Sequence, residues 1–99
     1  MVEHPLQILI KQDPEFFKFI EQSRAFELAD GALSRKYKLL IALALDASHG
    51  SVNGVRSLAK QALEAGATKE EILETVRVAH FICGVGSVYT AAQGLNDVL

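Results

Sequence analysis

Gly66 and the Thr68–Glu71 pair constrain this chain more than any other feature, because together they force one helix to stop and another to start within four residues. Glycine lacks a Cβ and enters the left-handed conformation that closes a helix without steric cost. Thr68 and Glu71 have the spacing of a capping box, in which each side chain satisfies a free backbone N–H of the new helix. Beyond them Ile72, Val76, Ala79 and Cys83 recur at helical intervals, so a helix is predicted from Thr68 to about Gly84. A chain broken this sharply between two apolar periods packs them as antiparallel neighbours.

The same punctuation recurs along the chain and predicts an all-α domain of about five helices, with no strand. Residues 1–12 read as an N-terminal arm with Leu6, Ile8 and Leu9 as docking side chains. Asp13-Pro14-Glu15 supplies an N-cap, a proline in the first turn and an acid at the positive end of the helix dipole. Phe16, Phe17, Ile20 and Phe26 fall near one side of that helix, which Gly31 ends. Ser34 caps the next, which runs to about His49. Its middle, Leu39 to Leu45, is apolar all round and predicts a buried central helix. A helix from Ser51 or Asn53 to Ala65 turns Val55, Leu58, Ala62 and Leu63 inward. The last begins near Ser87 and carries Val88, Ala91, Ala92 and Leu95.

Ninety-nine residues make one domain, 1–99. A chain of this size buries only about 60–70% of its unfolded surface. Yet 49% of its residues are hydrophobic and its mean hydropathy is +0.19. That excess predicts a homo-oligomer in which apolar surface is shared between copies. A net charge of −2 and scattered lysines and arginines give no footprint for nucleic acid or an anionic membrane. The longest apolar run is too short for a membrane span. One cysteine, and an acid rather than a basic region before Pro5, predict a cytoplasmic protein.

The wording of the turn also carries a resemblance. Ala62-Leu63-x-Ala65-Gly66-Ala67-Thr68-x-Glu70-Glu71-Ile72-Leu73-Glu74, closing on Gly84-Val85-Gly86-Ser87, resembles the carboxymuconolactone decarboxylase family, which includes the alkylhydroperoxidase D-like enzymes. The match is best over residues 33–96. It implies the helical fold of that family and assembly as a trimer or hexamer with the pocket near subunit boundaries. In the redox branch the helix before the turn opens with Cys-x-x-Cys-x-x-x-His, and a glutamate lies about three turns upstream. Anchored on the Ala-Gly-Ala-Thr turn, those positions fall at Ser51, Gly54, Leu58 and Leu39. None can hold a dithiol or relay a proton, so the resemblance implies a member without thiol chemistry. A decarboxylase-like or lactone-processing enzyme, a small-molecule binding protein, and a structural oligomer without catalysis all remain open on this reading.

The residues left for chemistry are few. His49 and His80 are the candidate catalytic groups, as proton donors or acceptors. His49 also has a structural explanation, since a histidine is favoured at a helix C-terminus. His80 and Cys83 lie three apart on one helix face, where the structural alternative is a core cysteine beside a satisfied histidine. Asp46 is placed to orient His49. Ser51, Cys83 and Tyr89 complete the candidate ligand-binding set. Two ligands do not make a metal site, and no phosphate loop, dinucleotide fingerprint or EF-hand loop is present, so neither metal nor cofactor is expected. The start of the Ser51 helix, with its free N–H groups, is the place for a small-molecule carboxylate. Lys36 and Lys38 flank the apolar run and offer attraction to the same charge. Glu70, Glu74 and Arg77 read as a solvated face.

An assay with an organic hydroperoxide and a dithiol reductant tests the absence of the dithiol. No turnover is expected, and the same trace is expected from Cys83→Ser.

Overall fold

The computed structural model describes residues 4–99 and contains six helices and no strand among them: α1 (Gln7–Gln12), α2 (Pro14–Leu28), α3 (Arg35–Ser48), α4 (Val52–Glu64), α5 (Lys69–Cys83) and α6 (Val85–Leu95). Five of them follow the sequence reading to within two residues. The sixth, α1, lies in the stretch read as an arm, whose first three residues fall outside the described ones.

The turns form as their residues dictate. At the end of α4 the Ala67 N–H donates to Ala62 O at 2.9 Å and the Gly66 N–H to Leu63 O at 3.0 Å, with Gly66 at φ +99°. This is the paired closure that a left-handed glycine permits. Thr68 and Glu71 then make the capping box in full, Thr68 N to Glu71 Oε1 at 2.9 Å and Glu71 N to Thr68 Oγ1 at 3.1 Å. The α3–α4 turn repeats the closure. Ser51 N–H donates to Asp46 O at 2.9 Å, and its hydroxyl accepts from Gly54 N at 3.2 Å. Ser51 thus finishes one helix and caps the next. Gly84, at φ +78°, hands α5 directly to α6, which begins at Val85 rather than near Ser87.

The body is α3 to α6 around a core of Leu39, Leu43, Val55, Ile72 and several alanines. α3 and α4 are antiparallel, as their short turn requires. α4 and α5, expected as antiparallel neighbours across their short turn, scarcely touch; α5 packs on α3 instead, and the two run parallel, with Lys36 at the start of α3 bonded to Glu71 at the start of α5. The end of α6 lies on the start of α4. Gly94 makes that approach possible: a Cβ there would sit 2.6 Å from Val55 Cγ1 and 2.9 Å from Val52 O. Arg56 ties the same ends together, reaching Asn53 Oδ1 at 2.8 Å, Gln93 O at 3.4 Å and Asp97 Oδ2 at 3.5 Å.

The burial pattern corrects the sequence reading in four places. The central helix is buried on one side only: Leu39, Leu40 and Leu43 are inside, whereas Ile41 and Leu45 are exposed. Ile41 faces the open groove beside α5, and nothing among the described residues covers Leu45. α2 has no buried residue at all, and its phenylalanines do not share a side. Phe17 and Ile20 are partly covered, and Phe16, Phe19 and Phe26 face outward. Of the arm residues, Ile8 is exposed rather than docked. Cys83 continues the inward period of α5 but is exposed, because α5 ends there and no element covers its last turn.

Gly94→Ala gains helix propensity worth about 1 kcal/mol but forces a methyl against a backbone carbonyl that cannot yield. A net loss of about 1–2 kcal/mol is expected in urea unfolding.

A groove between helices three and five as the candidate functional site

The parallel pairing of α3 and α5 leaves a groove of about 430 Å³ along the bundle. Tyr37, Leu40, Ile41 and Ala44 of α3 form one wall. Glu71, Glu74, Thr75 and Val78 of α5 form the other. Both sets follow helical spacing, so each wall is a stripe set by sequence. The size falls within the range of small-molecule pockets, about 300–1,000 Å³. Aliphatic carbons line most of it. Thr75 Oγ1 already donates to Glu71 O at 2.8 Å, which leaves Glu71, Glu74 and Tyr37 as its polar residues.

A charged pair stands at the mouth. Lys36 Nζ lies 3.0 Å from Glu71 Oε2 and 4.8 Å from the centre of the Tyr37 ring. The Thr68 backbone N–H, and then Lys36, hold the Glu71 carboxyl below its ordinary value of 4.5. The Glu71 carboxylate in turn holds Lys36 above 10.5. Glu71 is therefore both the cap of α5 and the anchor of α3 on α5. Sequence reading found the first role and missed the second, because the ion pair joins residues 35 apart.

The residues singled out from sequence lie elsewhere. Asp46, His49 and Ser51 cluster at the α3–α4 turn. His80 and Cys83 are on the last turn of α5, at the same end of the bundle, and Tyr89 is on α6. His49, His80, Cys83 and Tyr89 are exposed. On α5, His80 is turned about 200° from Val78 and so away from the groove. No hydrogen bond joins the two histidines or Cys83 among the described residues, and none of the six lines the groove. A second cavity of about 310 Å³ lies beside α2, lined by Glu21, Arg24, Ala25, Leu28 and Arg35, and also holds none of them.

The start of α4, where the resemblance sets the dithiol, is filled by this chain's own groups. Ser51 spends its hydroxyl on the Gly54 N–H. The Asp46 carboxylate lies where a side chain on residue 54 would project, with Ser51 Oγ 2.6 Å from that same position. Only glycine leaves room for it. Asp46 thus brings its negative charge to the positive end of α4, where the helix dipole favours it.

A helical body of this kind has known counterparts. The family model described as the carboxymuconolactone decarboxylase family matches residues 14–97. This chain belongs to that family. The match begins at α2, well before the segment that the turn alone brings to mind. The crystal structure of apo-lpg0406, a carboxymuconolactone decarboxylase family protein from Legionella pneumophila, is 31% identical with a TM-score of 0.86, over 92% of this chain and 81% of that one. The uncharacterized protein MJ1511 of Methanocaldococcus jannaschii is 26% identical over 93 residues, 94% of this chain and 87% of its own. No helix among the described residues is long and apolar enough to cross a membrane.

The shift on Glu71 carries a pH dependence. Its folded value is lowered, so its stabilisation is in place above the ordinary 4.5 and is lost as pH falls through the folded value. Between about pH 5 and about pH 3 the thermal midpoint of the wild-type protein is expected to fall more steeply than that of Glu71→Gln, which lacks this contribution.

Proposed function

We propose that this family member works without thiol chemistry and binds a small, mostly apolar organic molecule of the lactone class in the α3–α5 groove. The observation that carries the reading is the groove itself: a continuous aliphatic trough with a hydroxyl, a carboxylate and a charged pair at one end. An apolar ring fits against Leu40, Ile41, Ala44 and Val78. Tyr37 has a hydroxyl to offer a ring carbonyl, and Lys36 a charge for one carboxylate at the mouth. Glu71 and Glu74 disfavour a ligand with several negative charges. That selects a neutral lactone or a monocarboxylate over a dicarboxylate. Decarboxylase-like chemistry on such a ligand would draw its acid or base from Glu74 or Tyr37, which line the groove, rather than from His49 or His80.

The absence of the dithiol supports the same reading. Ser51 and Gly54 hold cap and clearance roles at α4, and Cys83 is the chain's single thiol. A purely structural oligomer is the second reading, favoured by the three exposed phenylalanines of α2.

A series of five- and six-membered lactones, with and without one carboxylate, separates the two by thermal shift. Stabilisation by a few degrees is expected for the wild-type protein and its loss in Ala44→Trp, which fills the groove. No stabilisation by any lactone, or stabilisation unchanged in Ala44→Trp, would sink the ligand reading.

A further inference from the structure

The charged side chains between α2 and α3 divide into those with a structural task and those without. Lys38 Nζ donates to Ala29 O at 2.6 Å and so closes the end of α2. Asp30 Oδ1 accepts from the Arg35 backbone N–H at 2.7 Å, and Glu27 Oε2 accepts from the Ser23 hydroxyl at 3.0 Å. Glu21, Arg24 and Arg35 are different. None of them belongs to either ion pair found among the described residues, Lys36–Glu71 and Arg56–Asp97. Arg24 gives one N–H to a neutral partner, Gln61 Oε1 at 3.0 Å, which draws it toward α4. It is not paired with Glu21 one turn earlier.

These three residues line one space, the cavity of about 310 Å³ beside α2. At 100° per residue, Glu21, Arg24, Ala25 and Leu28 fall within a sector of about 100°, so one stripe of α2 supplies a carboxylate, a guanidinium and an apolar strip. Arg35, the first residue of α3, adds a second guanidinium from the neighbouring helix. Leu28 is half-buried against the core and gives the cavity an aliphatic floor. A single exposed charge is satisfied by water. Two arginines and an acid around one concave space, unpaired with each other, form a recognition set.

We propose that this cavity binds a small zwitterion, an α-amino acid with an aliphatic side chain. Its carboxylate lies between Arg24 and Arg35, whose planar guanidinium groups match carboxylate geometry. Its ammonium faces Glu21, and its side chain rests on Ala25 and Leu28. The charges of the lining select this class. A phosphate monoester or a dicarboxylate meets Glu21 as a like charge. A monocarboxylate satisfies the arginines and leaves Glu21 without a partner. A zwitterion engages all three. The volume lies at the low end of small-molecule pockets, about 300–1,000 Å³, and suits a ligand of this size rather than a nucleotide.

The site shares no residue with the α3–α5 groove, so it stands apart from the lactone reading. It also has a mechanical consequence. α2 has no buried residue of its own. A ligand bridging α2 to Arg35 adds a tie between that helix and the body, and α2 amides then open less often.

A titration with leucine, followed by backbone amide shifts, tests the site. Saturable shifts at Glu21, Arg24, Ala25, Leu28 and Arg35 are expected, with slower hydrogen exchange along α2. Isocaproate, the same skeleton without the ammonium, and leucinamide, which lacks the carboxylate, are each expected to bind at least about tenfold more weakly. Glu21→Gln is expected to weaken leucine by a similar factor without weakening isocaproate, and Arg35→Gln to weaken both. Ala44→Trp, which fills the other groove, is expected to leave leucine binding unchanged. No saturable shift with leucine up to about 10 mM overturns the site. Isocaproate binding as tightly as leucine overturns the zwitterion. Leucine binding lost in a folded Ala44→Trp protein places the ligand in the α3–α5 groove and overturns the assignment. If Arg35→Gln does not fold, Glu21→Gln and the ligand series on the wild-type protein decide.

Discussion

The structure depends on a core made largely of small side chains. Ala47, Ala59, Ala62, Ala67, Ala79 and Ala91 are half of the buried hydrophobic residues described, and only Leu39, Leu43, Ile72 and Val55 are both large and fully buried. Alanine and glycine let helix backbones approach closely, as Gly94 does against Val55. Close approach makes a dense body from little volume. It leaves little room inside for aromatic side chains, and Phe16, Phe19, Phe26, Phe81, Tyr37 and Tyr89 all stand exposed.

The α3–α4 turn shows how one set of atoms precludes one chemistry while securing the fold. Ser51 closes α3 through its backbone and opens α4 through its hydroxyl. Asp46, four residues before the closing glycine, turns its carboxylate into the space that Gly54 leaves. A thiol at either position would break a cap or displace a carboxylate. What would be a reactive corner in the redox branch of the family is here a structural joint. The acid at the helix start offsets the dipole that would otherwise lower a thiol's pKa. The apolar stripe and the Lys36–Glu71 pair meet elsewhere, at the α3–α5 groove.

Much of this was legible in local sequence. Gly66 with Thr68 and Glu71, Asp13 with Pro14, and Ser34 each act within a few residues, and each formed as read. α1 was missed because its six residues carry no side-chain cap and no full apolar period. The candidate site was less legible. His49, His80 and Cys83 were singled out by residue type, and the structure places them on exposed turns outside the groove. Glu74 and Tyr37, which line it, looked like ordinary surface residues, because their only distinction is the neighbour across a parallel helix pair.

The sequence by itself determined the helices, their stops and the absence of a dithiol, since propensity, capping and the supply of thiols are local properties of the chain. It also determined the family, through a turn whose wording answers a local geometric need. Tertiary structure decided which side of each helix is inside. An apolar residue reads the same whether it faces the core, a groove or solvent, and only the path of the neighbouring helices separates these fates. Ile41 and Leu43 are two residues apart and equally apolar; one is fully buried and the other lines an open groove. The parallel pairing of α3 with α5, bridged by an ion pair across 35 residues, made that choice.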